Sequence, residues 1–223
     1  YNVVLGDEAG TALTTGDNNV AIGFEALSTE DADGGNTAVG YRSLKTLNAG
    51  ASGFNTAVGF DSGTSITEGI ENTLIGGRAG DALTHADYNV AVGDQSLSAD
   101  TQGSKSTAVG HGTLFAQNFT SSTDSFNTAV GYQAGLLVTT GIRNTLVGAI
   151  AGDALTDADS NTAIGYYALT SDTQGSNSTA IGAGALGSQN FTSATNSNNT
   201  AVGIDAGFAV TTGTNNTLIG ANA

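Results

Sequence analysis

The 223-residue chain has no cysteine, no proline, no methionine and no tryptophan. Without cysteine there is no disulfide framework, although that alone does not fix the compartment. Basic residues are scarce, with five Lys and Arg against twenty Asp and Glu and a net charge of −15. Phosphate binding needs clustered Lys and Arg, so nucleic acid is not an expected partner, and neither is an anionic membrane surface. No apolar run approaches the ~20 residues of a membrane span, so direct membrane insertion is not expected. There is no visible signal peptide and no polar cap at Tyr1 or Ala223. Solenoids need such caps, so the chain reads as an excerpt from a longer fibrous protein.

What the chain has in abundance is one short motif. Asn-Thr-Ala-Val-Gly stands intact at Asn36–Gly40, Asn55–Gly59, Asn127–Gly131 and Asn199–Gly203. In relaxed form it occurs thirteen times, starting at Asn2, Asn19, Asn36, Asn55, Asn72, Asn89, Ser106, Asn127, Asn144, Asn161, Ser178, Asn199 and Asn216. Successive starts are 17, 17, 19, 17, 17, 17, 21, 17, 17, 17, 21 and 17 residues apart. A near-constant short period with occasional longer turns is the signature of a solenoid. Five residues rich in β-branched side chains are too few for a helix and predict a strand. The expected fold is an all-β solenoid of ~17-residue coils, continuous over residues 1–223, with the copies stacking at ~4.8 Å into a rod roughly 60 Å long.

A second period overlies the first. The ninth residue of each copy runs Gly10, Leu27, Leu44, Gly63, Gly80, Leu97, Leu114, Gly135, Gly152, Leu169, Leu186, Gly207. The spacing of Asn55, Asn127 and Asn199 makes the full unit 72 residues, or four coils. Gln117-Asn118-Phe119-Thr120 recurs accordingly as Gln189-Asn190-Phe191-Thr192.

Strand alternation assigns roles within the motif. Position two (Thr or Val) and position four (Val, Ile or Leu) share a face, which the pattern predicts to be buried in the coil. Position three, Ala or a Leu such as Leu74, Leu146 and Leu218, then faces outward and requires a neighbouring chain as cover. Gly at position five suits positive φ or very close backbone approach. Asn at position one predicts a stacked, hydrogen-bonded ladder.

These residues resemble the head repeats of the YadA-like trimeric autotransporter adhesins and related repeats of phage tail fibres and bacterial surface fibres. Asn127–Ala134, reading Asn-Thr-Ala-Val-Gly-Tyr-Gln-Ala, carries the likeness most fully. The resemblance covers the whole chain, with coils longer than is usual in the adhesin heads. It implies a left-handed parallel β-roll, a homotrimer about a threefold axis, an extracellular place on a cell surface or virion, and a role in cell adhesion or host attachment.

Because the motif copies share one structural task, function is expected where they differ. At position six, Phe24, Tyr41 and Phe60 fall on successive coils and predict a stacked aromatic row, suited to a protein or glycan on a host surface. The long turns Phe115–Phe126 and Leu186–Asn198 carry Asn118-Phe119 and Asn190-Phe191 at their tips, a second candidate for multivalent attachment. Asp31-Ala32-Asp33, Asp87 and Asp157-Ala158-Asp159 occupy corresponding corners, where Ca²⁺ is the one cofactor to consider. Gly182–Gly187 fits a Gly-x-Gly-x-x-Gly string but has no following helix, and His85 and His111 have no triad or metal-ligand spacing. No paired carboxylates sit at glycosidase spacing. The expectation is a structural and adhesive segment, not an enzyme. The alternative is an ice-binding solenoid using the Thr37, Thr56, Thr73 ladder; Val39, Val58 and Ile75 on the same face speak for burial instead.

Overall fold

The computed structural model describes residues 1–30, 32, 34–50 and 52–223. The protein is all-β, a parallel solenoid of about 13 coils of ~17 residues, and the described residues contain no helix. Two compact units divide the chain: residues 1–106 with 118–124, and residues 107–117 with 125–223.

The first unit contains the motif strands Val3–Leu5, Val20–Ile22, Thr37–Val39, Thr56–Val58, Thr73–Ile75 and Val90–Val92. The second contains Thr107–Val109, Thr128–Val130, Thr145–Val147, Thr162–Ile164, Thr179–Ile181, Thr200–Val202 and Thr217–Ile219. Within each unit the strands pair in parallel, in chain order, like position on like position. Thr37 lies on Thr56 and Val39 on Val58, just as Thr162 lies on Thr179 and Ile164 on Ile181. Each strand has only three residues, so most of the fold's order comes from the turns that return the chain to the same register.

Burial runs opposite to the expectation from alternation. Position three is the inward residue: Ala21, Ala38, Ala57, Leu74, Ala91, Ala129, Leu146 and Ala163 are completely buried. Positions two and four point outward. Thr37, Val39, Thr56 and Val58 are half-buried, and Ile75, Val130, Ile164 and Ile181 are exposed. Volume explains the inversion. The coil interior is already filled by Leu27, Leu44, Leu47, Ile66, Leu83 and Leu97, all fully buried, which leaves room for a methyl group at most positions.

The 72-residue period has the same cause. Where position three is Leu, position nine is Gly in that coil and in the coil before. A Cβ on Gly80 would lie 2.9 Å from a Leu74 methyl, and one on Gly63 would lie 2.8 Å from the other. Gly135 and Gly152 bracket Leu146 in the same way, at 2.7 and 2.8 Å. Where a coil and the next both have Ala at position three, a Leu such as Leu27, Leu44, Leu97, Leu169 or Leu186 fills the space from position nine, each in the left-handed region with φ of 48–55°. That conformation costs a non-glycine residue about 1–2 kcal/mol, which complete burial of a Leu side chain offsets.

The motif asparagines do more than stack. Oδ1 of one Asn accepts the backbone N–H of the next: Asn36 to Asn19 at 2.9 Å, Asn72 to Asn55 at 2.9 Å, Asn144 to Asn127 at 2.9 Å. Nδ2 donates to a carbonyl fourteen residues on, across the same coil: Asn72 to Ala86 at 2.8 Å and Asn144 to Ala158 at 2.8 Å. A side chain bonded in both ways closes its own coil and grips its neighbour; Asn36 does only the second, its Nδ2 being buried without a partner among the described residues. Ser178 breaks this series, and Gln189 repairs it: Nε2 donates to Ser178 Oγ at 3.0 Å, and Oε1 accepts from Asn199 Nδ2 at 2.7 Å.

Glycine at position five meets both conditions foreseen for it. Gly76 has φ +139°, and a Cβ there would stand 2.5 Å from the Gly93 carbonyl oxygen. Gly131, at φ +141°, meets the Gly148 carbonyl in the same manner. Gly131→Ala should therefore destabilise the second unit by about 2 kcal/mol, whereas Val130→Ala, on the outward face, should cost well under about 1 kcal/mol in an unassociated chain. Urea unfolding of the two variants compares them directly. Since coils support only their neighbours, hydrogen exchange in Gly131→Ala should rise around that coil first.

Candidate functional site

The aromatic row exists as expected. Phe24 and Tyr41 stack with ring centroids 5.4 Å apart and planes within 15°, and Tyr41 and Phe60 with centroids 5.0 Å apart and planes within 9°. Position six is followed by a left-handed residue, Glu25, Arg42 or Asp61, with φ of 51–53°. That turn brings a charged column beside the aromatic one. The Arg42 guanidinium sits 5.6 Å from the Tyr41 centroid and 3.4 Å from Asp61. Lys45 Nζ donates to Glu25 Oε2 at 2.7 Å. The hydrogen bond to Tyr41 and the charge of Asp61 push the Arg42 pKa above its ordinary value. The row is therefore an exposed π-stack whose ring edges face outward, flanked by compensated charge.

The second unit has a shorter version. His111 stacks on Tyr132 with centroids 5.5 Å apart, and Tyr166 meets Tyr167 edge-on at 4.2 Å.

The long turns differ from expectation. Phe119 and Phe191 are only 6% exposed, so their rings are core, not surface. Asn118 and Asn190 do remain exposed. The cause is a buried carboxylate in the preceding coil. Asp172 is completely buried; its Oδ1 accepts from Phe191 N at 2.9 Å and Gly175 N at 3.1 Å, and its Oδ2 accepts from Gln189 Nε2 at 2.5 Å. Asp100 holds Phe119 N and Gly103 N in the same way, both at 3.0 Å. A Cβ on Gly103 would lie 2.7 Å from the Phe119 ring, and one on Gly175 2.8 Å from the Phe191 ring, so each ring packs closely against a glycine. The extra residues form short strands: Thr123–Asp124 pairs with Gly103–Ser104, and Thr195–Asn196 with Gly175–Ser176. Asp100 and Asp172 went unnoticed in the sequence. Their signal was an Asp recurring 72 residues apart at a fixed distance before Gln-Asn-Phe-Thr.

The acidic corners serve the backbone. Asp87 Oδ1 accepts from Ile70 N at 2.9 Å, and Asp159 Oδ1 from Ile142 N at 2.8 Å. Asp31 and Asp33 lie outside the described residues. Among the described residues, no three His, Asp or Glu side chains converge as a metal-ligand group. His85 lies at the surface, 3.8 Å from Glu68.

Two equivalent carboxylates, Asp81 and Asp153, are partly desolvated. Burial pushes both above the usual carboxylate pKa, opposed by donation from Ser98 Oγ at 2.5 Å and Thr170 Oγ1 at 2.6 Å. A raised folded-state pKa means the burial penalty is absent below the unfolded carboxylate range and is felt as pH rises through the folded value. Asp81→Asn should therefore raise the melting temperature at pH 7 and leave it unchanged near pH 3, as thermal scans at the two pH values would register. Phe191→Ala should lower stability by about 3–5 kcal/mol through cavity formation, while Asn190→Ala should change it little; denaturant unfolding distinguishes a core ring from a surface one. Comparison with protein-family models, with curated proteins and with solved structures yields no match to this chain.

Proposed function

We propose that the chain is a structural and adhesive fibre segment, a trimeric β-roll projecting from a bacterial cell or phage particle and attaching it to a host or surface. One observation supports this most directly. In each unit, positions two and four form two outward columns, one of Thr or Val and one of Val, Ile or Leu, uncharged throughout and half-buried to exposed. A contiguous apolar surface of this kind marks an association site. The covering surface is a second and third copy of the same columns, the number three following from the resemblance to the YadA-like repeats. The cover that a fibre needs therefore falls on the Thr and Val columns, not on position three. The neutral stripe also sidesteps the repulsion that a net charge of −15 imposes elsewhere on the surface.

The outward Thr columns favour one other reading. Thr37, Thr56 and Thr73 repeat on a single face in register, which is the arrangement an ice-binding solenoid requires. Light scattering and thermal hysteresis separate the two. The fibre reading expects a mass three times that of one chain and no hysteresis; a stable monomer with hysteresis would overturn it. Ile164→Glu should split the assembly into folded monomers with an unchanged circular dichroism spectrum. A trimer that survives this change would place the seam elsewhere.

A further inference from the structure

The stacked row stops abruptly, and its last ring has an unused face. Phe24 and Tyr41 are 38% and 40% exposed, but Phe60 is 56% exposed. Tyr41 covers one face of Phe60. On the next coil, where another ring would cover the second face, position six is Gly77. One coil further on, position six is Asp94, whose Oδ1 lies 2.8 Å from where a Gly77 Cβ would stand. The carboxylate therefore leans across the gap from the opposite side. Two coil spacings separate the Phe60 and Asp94 backbones, about 9.6 Å, which leaves the thickness of one six-membered ring between them. Arg78, exposed, stands next to Gly77 at the rim. The large-then-small order at position six recurs every 72 residues, as Tyr132 then Ala149 and Ile204 then Ala221. Tyr132 and Ile204 are likewise highly exposed, at 53% and 61%. The step is thus a repeated feature of the four-coil block.

We propose that the slot between Phe60 and Asp94, floored by Gly77, binds a neutral pyranose ring. The sugar's C–H face would lie on the open face of Phe60, and its hydroxyls would donate to the Asp94 carboxylate, which is acceptor-only when ionised. The chemistry discriminates among flat ligands. An aromatic ring would turn its electron-rich face toward a carboxylate, which is repulsive. An acidic sugar would meet that carboxylate on a chain of net charge −15. A neutral polyhydroxylated ring satisfies both walls. The inference builds on the attachment reading and names the ligand class at the aromatic row.

The test uses the intact chain and a panel of methyl glucoside, galactoside, mannoside and N-acetylglucosaminide, with sialic acid and indole as contrasting probes, followed by saturation-transfer and shift-perturbation NMR. At least one neutral pyranoside should take up saturation from the protein and weaken at least about tenfold in Phe60→Ala and in Asp94→Asn. Gly77→Phe is the decisive variant. Gly77 lies outside the left-handed region, position six already accommodates Phe at Phe24 and Phe60, and the Asp94 carboxylate that a Cβ would meet at 2.8 Å is the end of a flexible side chain that can turn aside, so the chain should fold, add a fourth ring to the stack and lose sugar binding. Binding of indole in preference to every pyranoside, retention of sugar binding in Gly77→Phe, or no binding by any of the four would each overturn the proposal. The oligomeric mass of Gly77→Phe, read on the same sample, reports on the fibre assembly alone, so the failure of one reading is distinguishable from that of the other.

Discussion

The structure depends on the hydrogen bonding of one amide side chain. A three-residue strand offers too few ladder bonds to fix a 17-residue coil. The motif Asn supplies the rest by serving two coils at once, through Oδ1 to the backbone of the next Asn and Nδ2 to the far turn of its own coil, as at Asn55, Asn72 and Asn144. A buried amide left unpaired would cost about 1–3 kcal/mol, and where the ladder residue itself changes, other polar groups stand in. Ser178 illustrates this. The shorter hydroxyl cannot span the coil, and Gln189, Ser197 and Asp172 complete a buried polar cluster around it, with Ser178 and Ser197 hydroxyls 2.5 Å apart. The 21-residue coil begins at this Ser, so a longer turn and a changed ladder residue occur together.

The period, the strand positions and the need for glycine at position five were legible because they are one-dimensional: they depend on spacing and on a single residue type. The face assignment was not. Thr-Ala-Val alternates equally well in either sense, since a column of Ala and a column of Val are both acceptable cores. What decides is the volume already delivered by Leu and Ile from positions nine and twelve, which reach the interior only because residues such as Leu44 and Leu97 adopt a left-handed backbone. The 72-residue alternation was visible as a pattern, but its cause is a contact between Leu74 and the positions of Gly63 and Gly80.

At the candidate site the aromatic row was legible for the same reason the period was. Equivalent positions on successive coils must superpose, so Phe24, Tyr41 and Phe60 stack. The fate of Phe119 and Phe191 was not, because it hangs on a carboxylate nineteen residues upstream. Asp100 and Asp172 are acidic residues in the interior of a strongly acidic chain, and composition gives no hint of which aspartates turn inward. Backbone N–H groups donate to Oδ1 of each, and Gln189 donates to Oδ2 of Asp172, which makes these buried carboxyl groups tolerable. The long turns are therefore closed and anchored, and the candidate surface contracts to their exposed Asn118 and Asn190 and to position six.

This redistribution bears on how a repeat scaffold acquires a function at all. Positions one, three, five and nine are bound to neighbouring coils by hydrogen bonds, volume and backbone approach, so a change there must be answered in the next coil, as Ser178 is answered by Gln189. Positions two and four are free of that constraint yet stay Thr, Val or Ile through nearly the whole chain. A position that is outward, not needed for the coil's interior and still uniform fits a demand from outside the coil, and the proposed association along those columns would supply one. Position six is outward and varied, from Asp7 and Phe24 to Gly77 and Ile204. Variation there alters what each level of the stack presents without disturbing its neighbours' hydrogen bonds. Uniform outer columns suit joining like to like, and the variable column suits contact with something unlike itself. The two faces of the same short motif can thus divide assembly from attachment.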